Sequence, residues 1–139
     1  MGDNQHHQDG TKNVHAGTNH VGESVNTPIF LSSTYKLTEE RYAGWAAGAQ
    51  HTLLYSRLSS VNSDAVAQKI CAMEGGEDAE TFASGMAAIS STLMMLLSQG
   101  DHMVASADVY GGTYGLITEE LPRFGIETTM ADMTDPSSY

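Results

Sequence analysis

Beyond residue 79 this chain alternates between two kinds of hydrophobic pattern, and few folds accept that order. Residues 79–83 read as a strand, Ser84-Gly85 as a turn, and residues 86–97 as an apolar helix that Gln99-Gly100-Asp101 ends. Residues 102–106 read as the next strand and 108–112 as a loop. Thr113 to about Leu121 reads as a helix closed by Pro122 and Gly125, and residues 126–130 as a third strand. Parallel neighbours need a crossover, which a helix supplies, so strand–helix–strand order builds a mostly parallel sheet. The fold class is α/β. Such sheets are covered on both faces and average about five or six strands, so three strands are the start of one.

Upstream the pattern differs. Residues 1–27 are polar, carry four of the six histidines and show no apolar period, which reads as an extended or mobile arm. Thr38-Glu39-Glu40 reads as a helix start running to about Gly48. Residues 51–58 lean toward a strand, and Asn62 or Ser63 caps a helix with Val66, Ile70 and Met73 on one face, ended by Gly75-Gly76. Only 25 of 139 residues are Leu, Ile, Val or Phe, and the formal net charge is −11. Phosphate backbones and anionic lipid repel such a chain, which argues against nucleic-acid and membrane partners. The longest apolar run, Leu93 to Leu97, is too short to span a bilayer, and no basic-then-apolar leader opens the chain. The single Cys71 excludes an internal disulfide and fits a reducing, cytoplasmic setting.

Three features can carry chemistry. At Ala83-Ser84-Gly85-Met86-Ala87-Ala88 a strand-to-helix turn offers free amides to an anion, with Gly85 allowing close approach. The same residues also serve as a plain cap and turn. At Tyr55-Ser56-Arg57, positions two apart on an extended strand point the same way, so a phenol and a guanidinium can converge on one dianion. No acidic residue lies between Arg41 and Asp64 to spend that charge locally, although a surface Arg beside a half-buried Tyr is the simpler alternative. In Asp108-Val109-Tyr110-Gly111-Gly112-Thr113-Tyr114, a glycine-flanked ring sits in the loop after a strand, where open α/β sheets bind ligands and a tyrosine can lie on a heteroaromatic ring. An exposed turn would look the same. His6, His7, His15 and His20 lack the spacing and paired carboxylates of a metal site, and no metal is expected. Neither a G-x-x-x-x-G-K-[ST] nor a G-x-G-x-x-G motif occurs. Met86, Met94 and Met95 read as core filling.

In this order the segments resemble the N-terminal third of the Cys/Met-metabolism family of pyridoxal-phosphate enzymes, the trans-sulfuration group of fold type I. The resemblance runs from about Thr11 to Pro136. It is carried by Tyr55-Ser56-Arg57, Glu74-Gly75, Ala83-Ser84-Gly85-Met86-Ala87-Ala88-Ile89, Val109-Tyr110-Gly111-Gly112-Thr113-Tyr114 and Leu121-Pro122-Arg123-Phe124-Gly125. It implies pyridoxal 5'-phosphate as cofactor, with Ser84, Gly85 and Met86 at its phosphate. Tyr110 would stack on the pyridine and assist proton transfer. Tyr55 and Arg57 would reach the phosphate of a neighbouring subunit in a homo-oligomer, a dimer of dimers. Residues 1–60 would then form the arm and inter-subunit clasp, and 61–139 the first part of the cofactor-binding large domain, incomplete in this chain. The implied substrate is a sulfur-containing or γ-substituted amino acid, undergoing γ-elimination or γ-replacement.

Two departures bear on this. The family usually reads x-x-Asn-Pro-Thr after Tyr-Ser-Arg, whereas Ser60-Val61-Asn62 stands here, which predicts a looser turn into the next helix. Methionine γ-lyases typically carry a cysteine where Gly112 stands, which tilts the resemblance toward cystathionine lyases and synthases or homoserine-ester sulfhydrylases. The family's cofactor-linking lysine lies further downstream, and Lys12, Lys36 and Lys69 are not in its motif. An alternative expectation is therefore a non-catalytic short homologue that regulates or assembles with full-length members.

Overall fold

The computed structural model describes residues 9–18, 24–49 and 52–138. The chain divides between Thr81 and Phe82 into two units.

In the first unit, α1 (Asp9–His15) is a helix within the segment expected to be extended. It packs on α3, and the turn after it passes Gly17, at φ +67, against the α3 backbone around Ala65. That contact orders a sequence with no apolar period of its own. Between them, α2 (Glu39–Ala46) begins where Thr38 accepts a hydrogen bond from the Arg41 amide, as the sequence predicts. The strand expected at 51–58 is reduced to one antiparallel bridge, Thr34 to Tyr55, after which the chain turns through 56–58. His51 lies outside the described residues, as do His6, His7 and His20.

The helix α3 (Val61–Glu74) starts one turn's edge earlier than expected, because Ser60 is the cap. Ser60 Oγ accepts from the Ser63 amide at 3.1 Å, and Ser63 Oγ accepts from the Ser60 amide at 3.2 Å, a reciprocal capping box. Asn62 accepts from the Phe30 amide at 2.8 Å and donates to the Pro28 carbonyl at 2.9 Å. The turn without its proline is thus pinned by side chains rather than loosened. Gly75 ends the helix in the left-handed conformation. Of the expected apolar face, Val66, Ile70 and Met73 are exposed, and Ala67 is the buried position.

Residues 79–83, which span the division between the units, are irregular rather than a strand, so the described sheet, in the second unit, has two strands, not three. Strands β1 (His102–Ser106) and β2 (Glu127–Ala131) pair in parallel, with His102 opposite Glu127 and Ser106 opposite Ala131. Alternation along both strands turns Met103, Ala105 and Met130 inward and leaves His102, Val104, Glu127 and Thr129 exposed. The inward side meets Ile117, Leu121 and Ile126, the largest fully buried side chains, together with Leu93 of α4 (Gly85–Leu96) and its C-cap Leu97. Met94 and Met95, expected as core, are exposed and stand outside that cluster. The crossover between strands begins as α5 (Gly111–Gly115), widens to a π turn over Leu116–Glu120 and tightens to a 3-10 turn over Leu121–Phe124. Pro122 lies inside this run instead of closing it. It has no amide hydrogen to donate and its ring crowds the carbonyl one turn back, which accounts for the changing pitch.

Candidate functional site

The residues expected at the site fall in both units, Tyr55 and Arg57 in the first and Ser84, Gly85, Met86 and Tyr110 in the second.

In the second unit the chain reaches α4 through Ser84, whose extended backbone and side chain form the cap. Ser84 Oγ accepts from the Ala87 amide at 3.1 Å, and its carbonyl accepts from the Ala88 amide at 3.1 Å. Helix geometry gives the amides of Gly85 and Met86 no intrahelical partner, so they face outward from the positive end of a 12-residue helix. The first turn of α4 carries no acidic side chain to compete with an anion. A Cβ placed on Gly85 would meet nothing within 4 Å beyond its chain neighbours and its own helix, so that side of the first turn is open. Ser84 itself is exposed.

Tyr110 stands at the N-terminus of α5 with 74% of its surface exposed. Its ring edge lies against Gly112: a Cβ on Gly112 would sit 2.7 Å from Tyr110 Cε1 and 3.2 Å from Met86 Sδ. Thr113 Oγ1 donates to the same sulfur at 3.6 Å. The structure therefore brings Met86 and Tyr110 together across Gly112, joining the α4 amides to the exposed ring. In the sequence, Gly112 stands as part of the loop around Tyr110 and as the position where methionine γ-lyases carry a cysteine, with no contact to Met86 in view. The available signal is the glycine pair after Tyr110, but the Met86 sulfur comes from 26 residues upstream of Gly112 and no local pattern announces it.

In the first unit, Tyr55 is held by the bridge to Thr34, and its carbonyl accepts from the Leu58 amide at 2.8 Å. The turn that follows, not an extended strand, folds Arg57 back so that its guanidinium carbon lies 5.5 Å from the Tyr55 ring centre. Among the described residues no carboxylate comes within ion-pair distance of Arg57, so phenol and guanidinium are presented together at the surface.

No group of three metal-binding side chains occurs among the described residues, and no helix among them is long and apolar enough to cross a membrane. The open Gly85 cradle, outward amides and exposed ring fit a flat, phosphorylated heteroaromatic cofactor.

Comparison with known proteins agrees with this chemistry. The family model for Cys/Met metabolism PLP-dependent enzymes matches residues 10–139. The chain is 54% identical over 113 residues to cystathionine beta-lyase MetC of Bacillus subtilis, covering 81% of this chain and 27% of that one. It is 36% identical over 129 residues to an L-methionine gamma-lyase of Porphyromonas gingivalis, covering 91% and 32%. Among solved structures it matches a Campylobacter jejuni chain assigned as an O-acetylhomoserine (thiol)-lyase and holding N'-pyridoxyl-lysine-5'-monophosphate, at TM-score 0.87 and 33% identity, covering 96% and 34%. The chain thus spans about a third or less of the length of these relatives. A model match across nearly the whole sequence, with the α/β parallel fold the relatives share, carries one conclusion: this chain belongs to the Cys/Met metabolism family of PLP-dependent enzymes.

Proposed function

We propose that this chain is the cofactor-cradling segment of a PLP-dependent trans-sulfuration enzyme, a lyase or transferase acting on a sulfur-containing or γ-substituted amino acid. The observation that carries the reading is the open α4 N-terminus, with the Gly85 and Met86 amides outward and the Tyr110 ring linked to it through Met86. The two amides hold the cofactor phosphate, and Ser84 caps the helix that aims them. Tyr110 lays its ring along the pyridine, and its phenol oxygen holds or moves a proton at the substrate. When bound, the cofactor supplies an electron sink for charge developing beside the amino group. Tyr55 and Arg57 present a phenol and a guanidinium to the phosphate of a neighbouring subunit, with residues 1–60 as the clasp.

The test is a spectral titration of the full chain with pyridoxal phosphate, with pyridoxal lacking the phosphate, and with inorganic phosphate as competitor. Charge-assisted hydrogen bonds are worth about 1.5–3 kcal/mol each, so the phosphate should tighten binding by about tenfold or more, and inorganic phosphate should compete. Equal affinity for pyridoxal and its phosphate would overturn the cradle.

A further inference from the structure

We infer that Met86 and Gly112 are positioning residues that set where the Tyr110 ring stands beside the α4 N-terminus. Three observations converge. The Met86 sulfur accepts from Thr113 Oγ1 at 3.6 Å, which ties the first turn of α4 to the first turn of α5. The same sulfur and the edge of the Tyr110 ring both border the space a side chain on Gly112 would occupy, 3.2 Å and 2.7 Å from a Cβ there. At 2.7 Å from Cε1, a methyl on Gly112 is closer than real contacts allow, so the ring must rotate away. The ring is 74% exposed and has solvent to rotate into. Thioether sulfur is a favourable neighbour for a ring edge.

Met86 therefore has two separate duties, one in its backbone amide and one in its side chain. The amide faces the anion, whereas the sulfur seats the loop that bears the ring. Gly112 contributes by leaving that seat empty. For its purpose the inference rests on the cofactor reading above, but the seat itself is a property of the chain and is measurable without cofactor.

The experiment follows methionine methyl signals by NMR in the full chain, with Met86→Leu to assign the Met86 resonance. The expected Met86 signal is displaced by the Tyr110 ring current. Tyr110→Leu removes that displacement, and Gly112→Ala reduces or removes it while leaving the other methyl signals in place. A Met86 signal unchanged by both Tyr110→Leu and Gly112→Ala overturns the inference. In a second arm, Gly112→Ala binds inorganic phosphate as the parent does but binds pyridoxal phosphate about two- to tenfold more weakly, the size of a stacking contact. Equal losses for both ligands would mean that the substitution disturbs the helix end and not the ring, and would also overturn it. If the parent chain binds neither ligand, the cofactor reading fails, and the methyl signals still decide the seat.

Discussion

Replacing Gly85 by alanine separates a cap from a cradle, because the two roles predict opposite signs for stability and binding. Gly85 is the first residue of α4, its backbone is helical rather than left-handed, and a Cβ there meets no protein atom within 4 Å. Glycine costs about 0.5–1 kcal/mol relative to alanine within a helix, and less in the first turn. Gly85→Ala should therefore leave the folded chain as stable as before or more so by up to about 0.5 kcal/mol, seen as an unchanged or slightly raised Tm. On the cradle reading, the same methyl crowds the approach of the phosphate to the Gly85 and Met86 amides. Losing one charge-assisted hydrogen bond to the phosphate costs about 1.5–3 kcal/mol, or roughly a 10- to 150-fold loss of affinity for pyridoxal phosphate. The assays are thermal unfolding followed by circular dichroism and a spectral cofactor titration on the same samples. A variant that keeps the parent's affinity would refute the approach of the phosphate to Gly85. A variant that loses both stability and affinity would show that the open space assigned to the ligand is needed by the fold.

Ser60→Ala removes one half of the α3 capping box and should cost about 1 kcal/mol, whereas Ser60→Gly should cost only a few tenths; denaturant midpoints at constant slope check both. Gly17→Ala forces a side chain into a left-handed backbone and against Ala65 of α3, with Gln68 Cβ and the Lys69 amide each 3.1 Å away. It should release α1 at a cost of at least about 1–2 kcal/mol, read as faster proteolysis ahead of Thr27 with the second unit unaffected. Asp132 and Asp135 accept from the side chains and amides of Thr134 and Ser137, and these bonds hold both carboxyls below the ordinary carboxylate value. Their contribution is accordingly complete above the unfolded value of about 3.9 and is lost as pH falls through the lower folded one. Asn at both positions should flatten the acid-side change in amide exchange across 132–138, and an unchanged profile would contradict the assignment.

The elements most legible in the sequence were those whose signals are local. The Thr38 cap, the Gly75 stop, the apolar α4 and both paired strands each carry their own pattern of capping, turn and alternation within a dozen residues. Residues 79–83 have the same local look as a strand, but no strand among the described residues pairs with them, and pairing is a long-range fact. The helix α1 was missed for a similar reason, since its order comes from Gly17 lying against α3 more than from any amphipathic stripe. At the site, the cap at Ser84, the glycine at 85 and the exposed Tyr110 were readable from residue type and position. The joint between them was not, because the Met86 sulfur reaches Gly112 and Thr113 only through the tertiary fold. Tyr55 and Arg57 do come together, though by a turn and a ring contact instead of strand alternation.

The most direct test of the cradle is amide-proton NMR of the full chain as pyridoxal phosphate is added. Phosphate bonded by the α4 N-terminus should give its largest downfield shifts at Gly85 and Met86, with ring-current changes confined to the neighbourhood of Tyr110. Shifts that spare Gly85 and Met86 while the cofactor demonstrably binds would place the phosphate elsewhere and contradict the account.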